Sequence, residues 1–129
     1  MSEASELLSR LPLFAGCSAR EVERVARYAH EERVTEGQAI VTEGEQGDRF
    51  FVVVAGTVEV ERHGGVVRTF GPGDFFGETA LVAHAPRNAS IRATSPVKVL
   101  VLPARDFRAV VGRFPAVYDS VLRAIAERT

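Results

Sequence analysis

Phe75–Leu81 reads FFGETAL, and after four further residues Pro86–Ser90 closes the region with PRNAS. Gly77 lets the backbone approach a ligand closely, and the turn that follows can aim successive N–H groups at an anion. Arg87 adds a permanently charged guanidinium, whose paired N–H donors match phosphate oxygens. The Glu78 carboxylate would repel a bare phosphate, but it accepts hydrogen bonds from sugar hydroxyls. The two segments therefore predict a site for a ligand that carries a phosphate next to a sugar, and such a ligand is a nucleotide.

Outward from these segments, the sequence predicts a β-rich domain. Between residues 31 and 102, glycine turns recur at intervals of about 8–12 residues and separate short runs rich in Val, Phe and Thr, which is typical of an antiparallel sandwich or barrel. The predicted strands and turns are the strand Phe50–Ala55, the alternating strand Thr57–Arg62, the hairpin turn His63–Val66, the tight turn Pro72–Asp74, and the closing strands Ile91–Thr94 and Val97–Leu102.

Helical patterns flank the β-rich region on both sides. Residues 3–9 read as a short helix, and Ser18 with Glu21 forms a capping-box pattern at the start of a second helix over 18–30. At the other end of the region, Pro103 is suited to be the first residue of a helix, because the missing N–H of proline costs nothing there.

The C-terminal part carries an apolar stripe that is interrupted at Gly112 and Pro115, which predicts two helices rather than one. The sequence thus predicts a single domain in three parts. These are an N-terminal helical segment over 1–30, a barrel over 31–102 that contains the 75–90 segment, and C-terminal helices over 103–129.

Composition narrows the class of protein. A chain of 129 residues is long enough to bury a sizeable core in one domain. The net charge of −1 gives no general surface for polyanions, and a single cysteine excludes an internal disulfide. The sequence has no apolar run that would span a membrane and no signal peptide. We therefore expect a soluble, cytoplasmic protein that neither binds nucleic acid nor inserts into a membrane.

No pattern in the sequence indicates catalysis. His30, His63 and His84 are far apart and lack the spacing of metal ligands. Cys17 has no histidine close by in sequence to activate it, and the motifs of serine hydrolases and of P-loop nucleotidases are absent. The sequence therefore predicts a protein that is not an enzyme and that needs neither a metal nor a catalytic cofactor.

The two opening segments resemble the phosphate-binding cassette of the cyclic nucleotide-binding domain family, whose pattern runs F-G-E-x-A-L, a variable stretch, and then P-R-x-A-[ST]. The matching positions are Phe76, Gly77, Glu78, Ala80, Leu81, Pro86, Arg87, Ala89 and Ser90. The resemblance covers nearly the whole chain. It implies a mainly β fold, an antiparallel jelly-roll β-barrel or double-stranded β-helix, with N-terminal helices and two C-terminal helices.

The resemblance also implies roles for the cassette residues. Arg87 would pair with the cyclic phosphate, the backbone N–H groups of Ala80 and Ala89 would share that anion, and Glu78 would accept from the ribose 2′-hydroxyl. The other cassette residues assigned to the ligand site are Gly77, Thr79, Asn88 and Ser90, together with Phe76, for which a place in the core is the stronger expectation.

Apolar contacts to the base are expected from outside the cassette. Alignment on Gly56 and Gly77 points to Val60 and Val67 as barrel residues that face the base. Ordinary core packing explains them nearly as well, and the two interpretations are compatible. In the family a residue of the last helix often covers the base. The candidates are Tyr118, Val121, Leu122 and Ile125, and the sequence gives no basis for choosing one of them.

Asn88 bears on the choice of base. The residue after the cassette Arg is often Ala in cAMP-selective relatives, whereas Thr or Ser there often accompanies cGMP recognition. An Asn side chain both donates and accepts, so it is compatible with either base. We expect cAMP as the ligand, with cGMP as the alternative, because relatives of the prokaryotic type mostly use cAMP.

The resemblance predicts a sensor whose C-terminal helix moves when a cyclic nucleotide binds, and whose protein effector lies in the same chain or in another. The transcription-factor branch carries a helix-turn-helix where this chain reaches Thr129, so we expect no direct DNA binding. The exposed face of the last helix leaves room for a homodimer. The alternatives are a degenerate, empty domain that acts in protein interaction, or a cupin-like metal enzyme.

Overall fold

The structure is a computed structural model that describes residues 3–11, 14–77 and 86–128. Within these ranges the chain forms four α-helices and eight β-strands, with two helices on either side of the strands. The helices are α1 (Glu3–Ser9), α2 (Ala19–Ala26), α3 (Ala104–Arg113) and α4 (Pro115–Arg128). The strands are β1 (His30–Val34), β2 (Ala39–Val41), β3 (Arg49–Ala55), β4 (Val58–Arg62), β5 (Gly65–Phe70), β6 (Phe75–Phe76), β7 (Ser90–Ala93) and β8 (Val97–Pro103).

The strands form two four-stranded antiparallel sheets. One sheet has the order β1-β8-β3-β6 and the other has the order β2-β7-β4-β5. Neighbours in each sheet are mostly distant in sequence, which is the connectivity of a jelly roll. The predicted fold class, mainly β with flanking helices, is therefore confirmed.

Two groups of buried side chains hold the fold together. The inner cluster lies between the sheets and contains Phe51, Val53, Val58, Val60, Phe70, Phe76, Ala89, Ile91, Ala93, Val97, Val99 and Val101. The helix cluster lies on the other face of the first sheet, where Phe50, Val52, Leu100 and Leu102 meet the apolar residues of the helices. Alternation along β3 and β8 thus supplies both clusters, since successive side chains of a strand point to opposite faces.

The predicted helix over 18–30 is right at its start and too long at its end. The Ser18 N–H donates to Glu21 Oε1 at 2.8 Å, and the Glu21 N–H donates to Ser18 Oγ at 3.2 Å, so the capping box is present. The helix ends at Ala26, however, because the chain must turn before β1 begins at His30.

The prediction that Pro103 begins a helix is wrong by one residue. Pro103 is the last residue of β8 and lies opposite Arg49 of β3. The helix begins at Ala104, whose N–H donates to the Asp48 carbonyl at 2.7 Å. The strands therefore run from residue 30 to residue 103, one residue beyond the expected barrel at each end.

Candidate functional site

Arg87 lies at the centre of the candidate site, and its side chain is buried rather than solvated. Only 7% of the residue is exposed. Its Nη1 donates to the Gly77 carbonyl at 3.0 Å, and its Nη2 donates to the Arg49 carbonyl at 2.6 Å. Main-chain oxygens from two separate segments therefore fix the orientation of this guanidinium.

The main chain of Arg87 is paired with the loop that follows β2. Its N–H donates to the Glu45 carbonyl at 2.7 Å, and its carbonyl accepts from the Gly44 N–H at 2.8 Å. Pro86 forms an isolated antiparallel bridge with Gln46. The loop therefore holds the backbone of Arg87, and the carbonyls of Gly77 and Arg49 hold its side chain.

Gly77 lies close to both the Arg87 guanidinium and the Arg49 carbonyl that accepts from it. Its φ is +96°, a conformation that residues with a side chain rarely adopt. A Cβ at this position would lie 2.7 Å from the Arg49 carbonyl oxygen and 2.9 Å from Arg87 Nη1. Both space and conformation therefore require glycine here.

Arg49 is a part of the site that the sequence did not indicate. Its Nη1 donates to both carboxylate oxygens of Glu32 at 3.0 Å, and its guanidinium carbon lies 5.0 Å from the centre of the Phe51 ring. His30 Nε2 lies 2.9 Å from Glu32 Oε2. This hydrogen bond, together with Arg49, lowers the pKa of Glu32, against the effect of burial. Glu32 is therefore a stabilised anion that anchors Arg49.

The end of the cassette contains three predicted site residues in different environments. Ala89 belongs to the inner cluster and is 6% exposed, whereas Asn88 is exposed. Ser90 Oγ accepts from the Glu43 N–H at 2.8 Å, and Glu43 Oε1 accepts from the His63 N–H at 3.1 Å. Ser90 is thus engaged in holding the loop after β2, and Asn88 is the one of the three whose side chain is open to solvent or to a ligand.

Val60 and Val67, which the sequence places against the base, differ in burial. Val60 is 8% exposed and belongs to the inner cluster, as core packing would require. Val67 is 57% exposed. The pairing of β4 with β5 passes from Val60–Arg68 to Glu61–Val66, so Val67 is the extra residue of a β-bulge. Val66 beside it is equally exposed, and every residue of β5 from Gly65 to Thr69 is exposed, because β5 is the edge strand of its sheet.

Phe76 is part of the core. It is 2% exposed and its ring stacks on Phe51 with the ring centres 4.8 Å apart. The ring of Phe70 also stacks with that of Phe76, and the two ring centres lie 6.4 Å apart. Phe76 therefore anchors the strand that leads into Gly77, which agrees with the expectation that core packing explains it.

The last helix is anchored at its beginning, and Tyr118 and Leu122 are exposed among its described side chains. Phe114, just before α4, and Val117 are 7% and 0% exposed and belong to the helix cluster. Tyr118 and Leu122, both suggested as residues that cover the base, are 43% and 42% exposed. They lie four residues apart and therefore share one side of the helix. The side chains of Val121 and Ile125 lie outside the described part of the structure.

Three predicted site residues, Glu78, Thr79 and Ala80, also lie outside the described residues, as does His84. Their assignment to the ligand site remains a prediction from the sequence.

Arg87 also borders a cavity of about 220 Å³ between β2, the start of β3 and the loop that joins them. Its wall is formed in part by Asp48, Arg49 and Phe51 and by the loop residues Glu45 and Gln46. Open space therefore adjoins the cassette arginine, and the wall contributes both acidic and basic residues.

Across residues 3–11, 14–77 and 86–128, no three His, Cys, Asp or Glu side chains come together as metal ligands would. In the same ranges, none of the helices combines the length and the apolar character needed to cross a bilayer.

A family model described as the cyclic nucleotide-binding domain matches residues 31–114, more than half of the chain. The match runs from the second residue of β1 to the residue after α3, and it includes β2 to β8 and the cassette. The chain therefore belongs to the cyclic nucleotide-binding domain family, a family of regulatory ligand-binding domains.

Relatives of two kinds are similar to the chain. The cAMP-dependent protein kinase regulatory subunit of Yarrowia lipolytica is 36% identical over 107 residues, covering 81% of this chain and 28% of that protein. A cyclic nucleotide-gated potassium channel of Mesorhizobium japonicum is 33% identical over 123 residues, covering 95% of this chain and 34% of the channel. The chain thus spans about a third or less of the curated relatives it matches.

A solved structure shows the same fold with a ligand. The regulatory domain of Toxoplasma gondii PKA with cAMP matches with a TM-score of 0.87 and 30% sequence identity. The match covers 96% of this chain and 49% of that chain.

Proposed function

We propose that the chain is a sensor module that binds cAMP in preference to cGMP and transmits binding through movement of α4. The observation that supports it most directly is the buried Arg87 guanidinium, held by the carbonyls of Gly77 and Arg49 within the family's cassette. An anion at this position would meet a fixed positive fork from which bulk water is largely excluded, and a charge-assisted contact is strong under those conditions.

The remaining roles in this proposal follow the family resemblance. Glu78 accepts from the ribose 2′-hydroxyl, and the backbone N–H groups of Ala80 and Ala89 share the cyclic phosphate with Arg87. Thr79 and Ser90 complete the cassette. Val60 and the exposed Val67 contact the base. The apolar side chain of Val67 is open to such a contact because it is exposed on the bulge.

The preference for cAMP is supported by the relatives, which include cAMP-dependent kinase regulatory subunits and a structure solved with cAMP. These proteins also suggest the effector, a kinase or a channel pore in the same chain or in a partner. We propose that this chain contributes binding and no catalytic step, and that it acts in the cytoplasm.

Calorimetric titration with cAMP and cGMP tests the proposal. We expect saturable binding of one nucleotide per chain and a tighter interaction with cAMP. A ligand at 100 times its dissociation constant should raise the free energy of unfolding by about 2.7 kcal/mol, which a thermal-shift assay would detect. Asn88→Ala and Asn88→Thr are measured beside the wild type, and we expect the ratio of the two affinities to move toward cAMP in the first and toward cGMP in the second.

Absence of binding of either nucleotide by the folded wild type would contradict the proposal as a whole and support the empty, interaction-only domain. An unchanged affinity ratio in both Asn88 variants would remove Asn88 from base selection while leaving the binding function intact.

Movement of α4 requires that the nucleotide bind one arrangement of the helix better than the other. A tenfold difference in affinity corresponds to about 1.4 kcal/mol of differential binding. The anchored residues Phe114 and Val117 and the exposed pair Tyr118 and Leu122 suggest that the helix pivots near its start. Its exposed side would then cover the base.

A spin-label distance measurement tests this movement. In a Cys17→Ser background, which removes the single cysteine, labels at Arg62 at the end of β4 and at Arg123 in α4 should approach each other when cAMP is added. Labels at Arg62 and Arg33, in the two sheets of the barrel, serve as the control and should keep their distance. An unaltered Arg62–Arg123 distance at saturating cAMP would show that α4 does not carry the signal.

A further inference from the structure

We propose that the side chain of Arg49 is a positioning residue for Arg87, because it fixes the carbonyl on which the phosphate-binding guanidinium rests. The inference depends on the proposed function, since it concerns affinity for the phosphate of a cyclic nucleotide. Arg49 itself acts through Arg87 and needs no contact with the ligand.

The contact between the two arginines is short. Arg87 Nη2 donates to the Arg49 carbonyl at 2.6 Å, the shorter of the two described bonds from this guanidinium to main-chain carbonyls. On this edge of β3, the described pairing with β6 covers Phe51 and Val52. The Arg87 guanidinium therefore contacts β3 close to the end of the described β6 pairing.

The β8 edge of β3 holds Arg49 through its two neighbours. The Asp48 carbonyl accepts from the Ala104 N–H at 2.7 Å, and Phe50 lies opposite Leu102 of β8. The Arg49 carbonyl faces the other edge of the strand, where it accepts from Arg87. The side chain of Arg49 adds a separate tie to this part of β3.

The Arg49 side chain is tied to the opposite end of the same sheet. Its Nη1 donates to both oxygens of Glu32 in β1 at 3.0 Å, its Nε lies 3.7 Å from Asp48 Oδ1, and its guanidinium stacks over Phe51. Because β8 lies between β1 and β3, the ion pair spans the width of that strand. It ties the start of β3 to the far edge of the sheet.

Loss of this anchor would let the start of β3 move and would take the Arg49 carbonyl away from Arg87. The guanidinium would then lose one of the contacts that orient it, although the charge itself would remain. We therefore expect Arg49→Ala to weaken cAMP binding by about tenfold, the size of effect that coupled neighbouring residues produce.

Lys98→Ala is the matched control. Lys98 lies 3.2 Å from Glu31, the neighbour of Glu32 in β1, but on the face of the sheet that meets the helices, where it also approaches Glu3. The variant breaks a comparable ion pair to the same strand without touching the Arg49 contact. We expect its affinity for cAMP to stay within about twofold of the wild type.

The test combines calorimetry with NMR of ¹⁵N-labelled arginine side chains. In the ligand-free wild type, we expect resolved guanidinium N–H signals from Arg87, assigned by their loss in Arg87→Lys. Arg49→Ala should broaden or shift them, and Lys98→Ala should leave them unchanged. In the Arg87→Lys background, Arg49→Ala should cost much less affinity than in the wild type, since a residue that acts through Arg87 has little left to position.

Unchanged Arg87 signals in Arg49→Ala, or equal losses of affinity in both backgrounds, would overturn the inference. If Arg49→Ala does not fold, Glu32→Gln removes the charge of the anchor while keeping its size, and the same shifts are expected. Failure of the wild type to bind cAMP would refute the proposed function instead, and the NMR comparison would still decide the role of Arg49.

Discussion

Replacing Arg87 with Ala is expected to lower the affinity for cAMP by about a hundredfold or more, which corresponds to roughly 3 kcal/mol. The phosphate would lose its positive partner in a place where only 7% of the original residue is exposed, so water replaces that partner poorly. The carbonyls of Gly77 and Arg49 would at the same time lose their donor, and their oxygens would present partial negative charge to the anion.

Arg92→Ala is the control for this experiment. Arg92 also donates to a main-chain carbonyl, that of Gly37 at 2.8 Å, and it pairs with Glu61, but it is exposed on the other sheet. We expect cAMP binding by this variant to match the wild type in calorimetry. Near-normal binding by a folded Arg87→Ala protein would show that the phosphate contacts lie elsewhere. Chemical unfolding of each variant separates loss of binding from loss of fold.

Gly77→Ala is expected to reduce both stability and binding. The alanine would adopt a φ of +96° at a cost of about 1–2 kcal/mol, and its Cβ would lie 2.7 Å from the Arg49 carbonyl oxygen and 2.9 Å from Arg87 Nη1. The backbone oxygen cannot move aside easily, so the guanidinium must. We expect affinity for cAMP to fall by at least about tenfold.

Gly37→Ala separates conformational strain from the collision. Gly37 has a φ of +90°, close to that of Gly77, and a Cβ there would meet nothing within 4 Å. Its free energy of unfolding should fall by the strain alone, and its affinity for cAMP should not change. If both glycine variants lose binding to the same degree, the space around Gly77 is not what sets the position of Arg87.

Local sequence was enough to predict the elements that depend on neighbouring residues. The capping box at Ser18, the hairpin turn at His63 and Gly64, and the break before Pro115 are all determined within a few positions. The hairpin has φ values of +53° and +83° at His63 and Gly64, which suit the twist of the strands it joins. The family pattern at Gly77 and Arg87 extended the prediction to the fold.

The parts that the sequence did not reveal depend on long-range register. Nothing local marks Arg49 as the residue whose carbonyl accepts from Arg87, 38 positions away. Glu32, which anchors Arg49, lies in β1, and β1 is separated from the β3 strand of Arg49 by β8. The bulge at Val67 is likewise a property of the β4–β5 pairing, because a slip of one residue cannot be read from a single strand.

The peptides of Asp48 and Arg49 connect two ends of the molecule. The Asp48 carbonyl accepts the first N–H of α3, and the next carbonyl along the chain accepts from the cassette arginine on the opposite edge of β3. The two acceptor carbonyls belong to adjacent peptide groups that share the Cα of Arg49. For the movement of α4 proposed above, this places the cassette arginine and the first residue of α3 on one short piece of backbone.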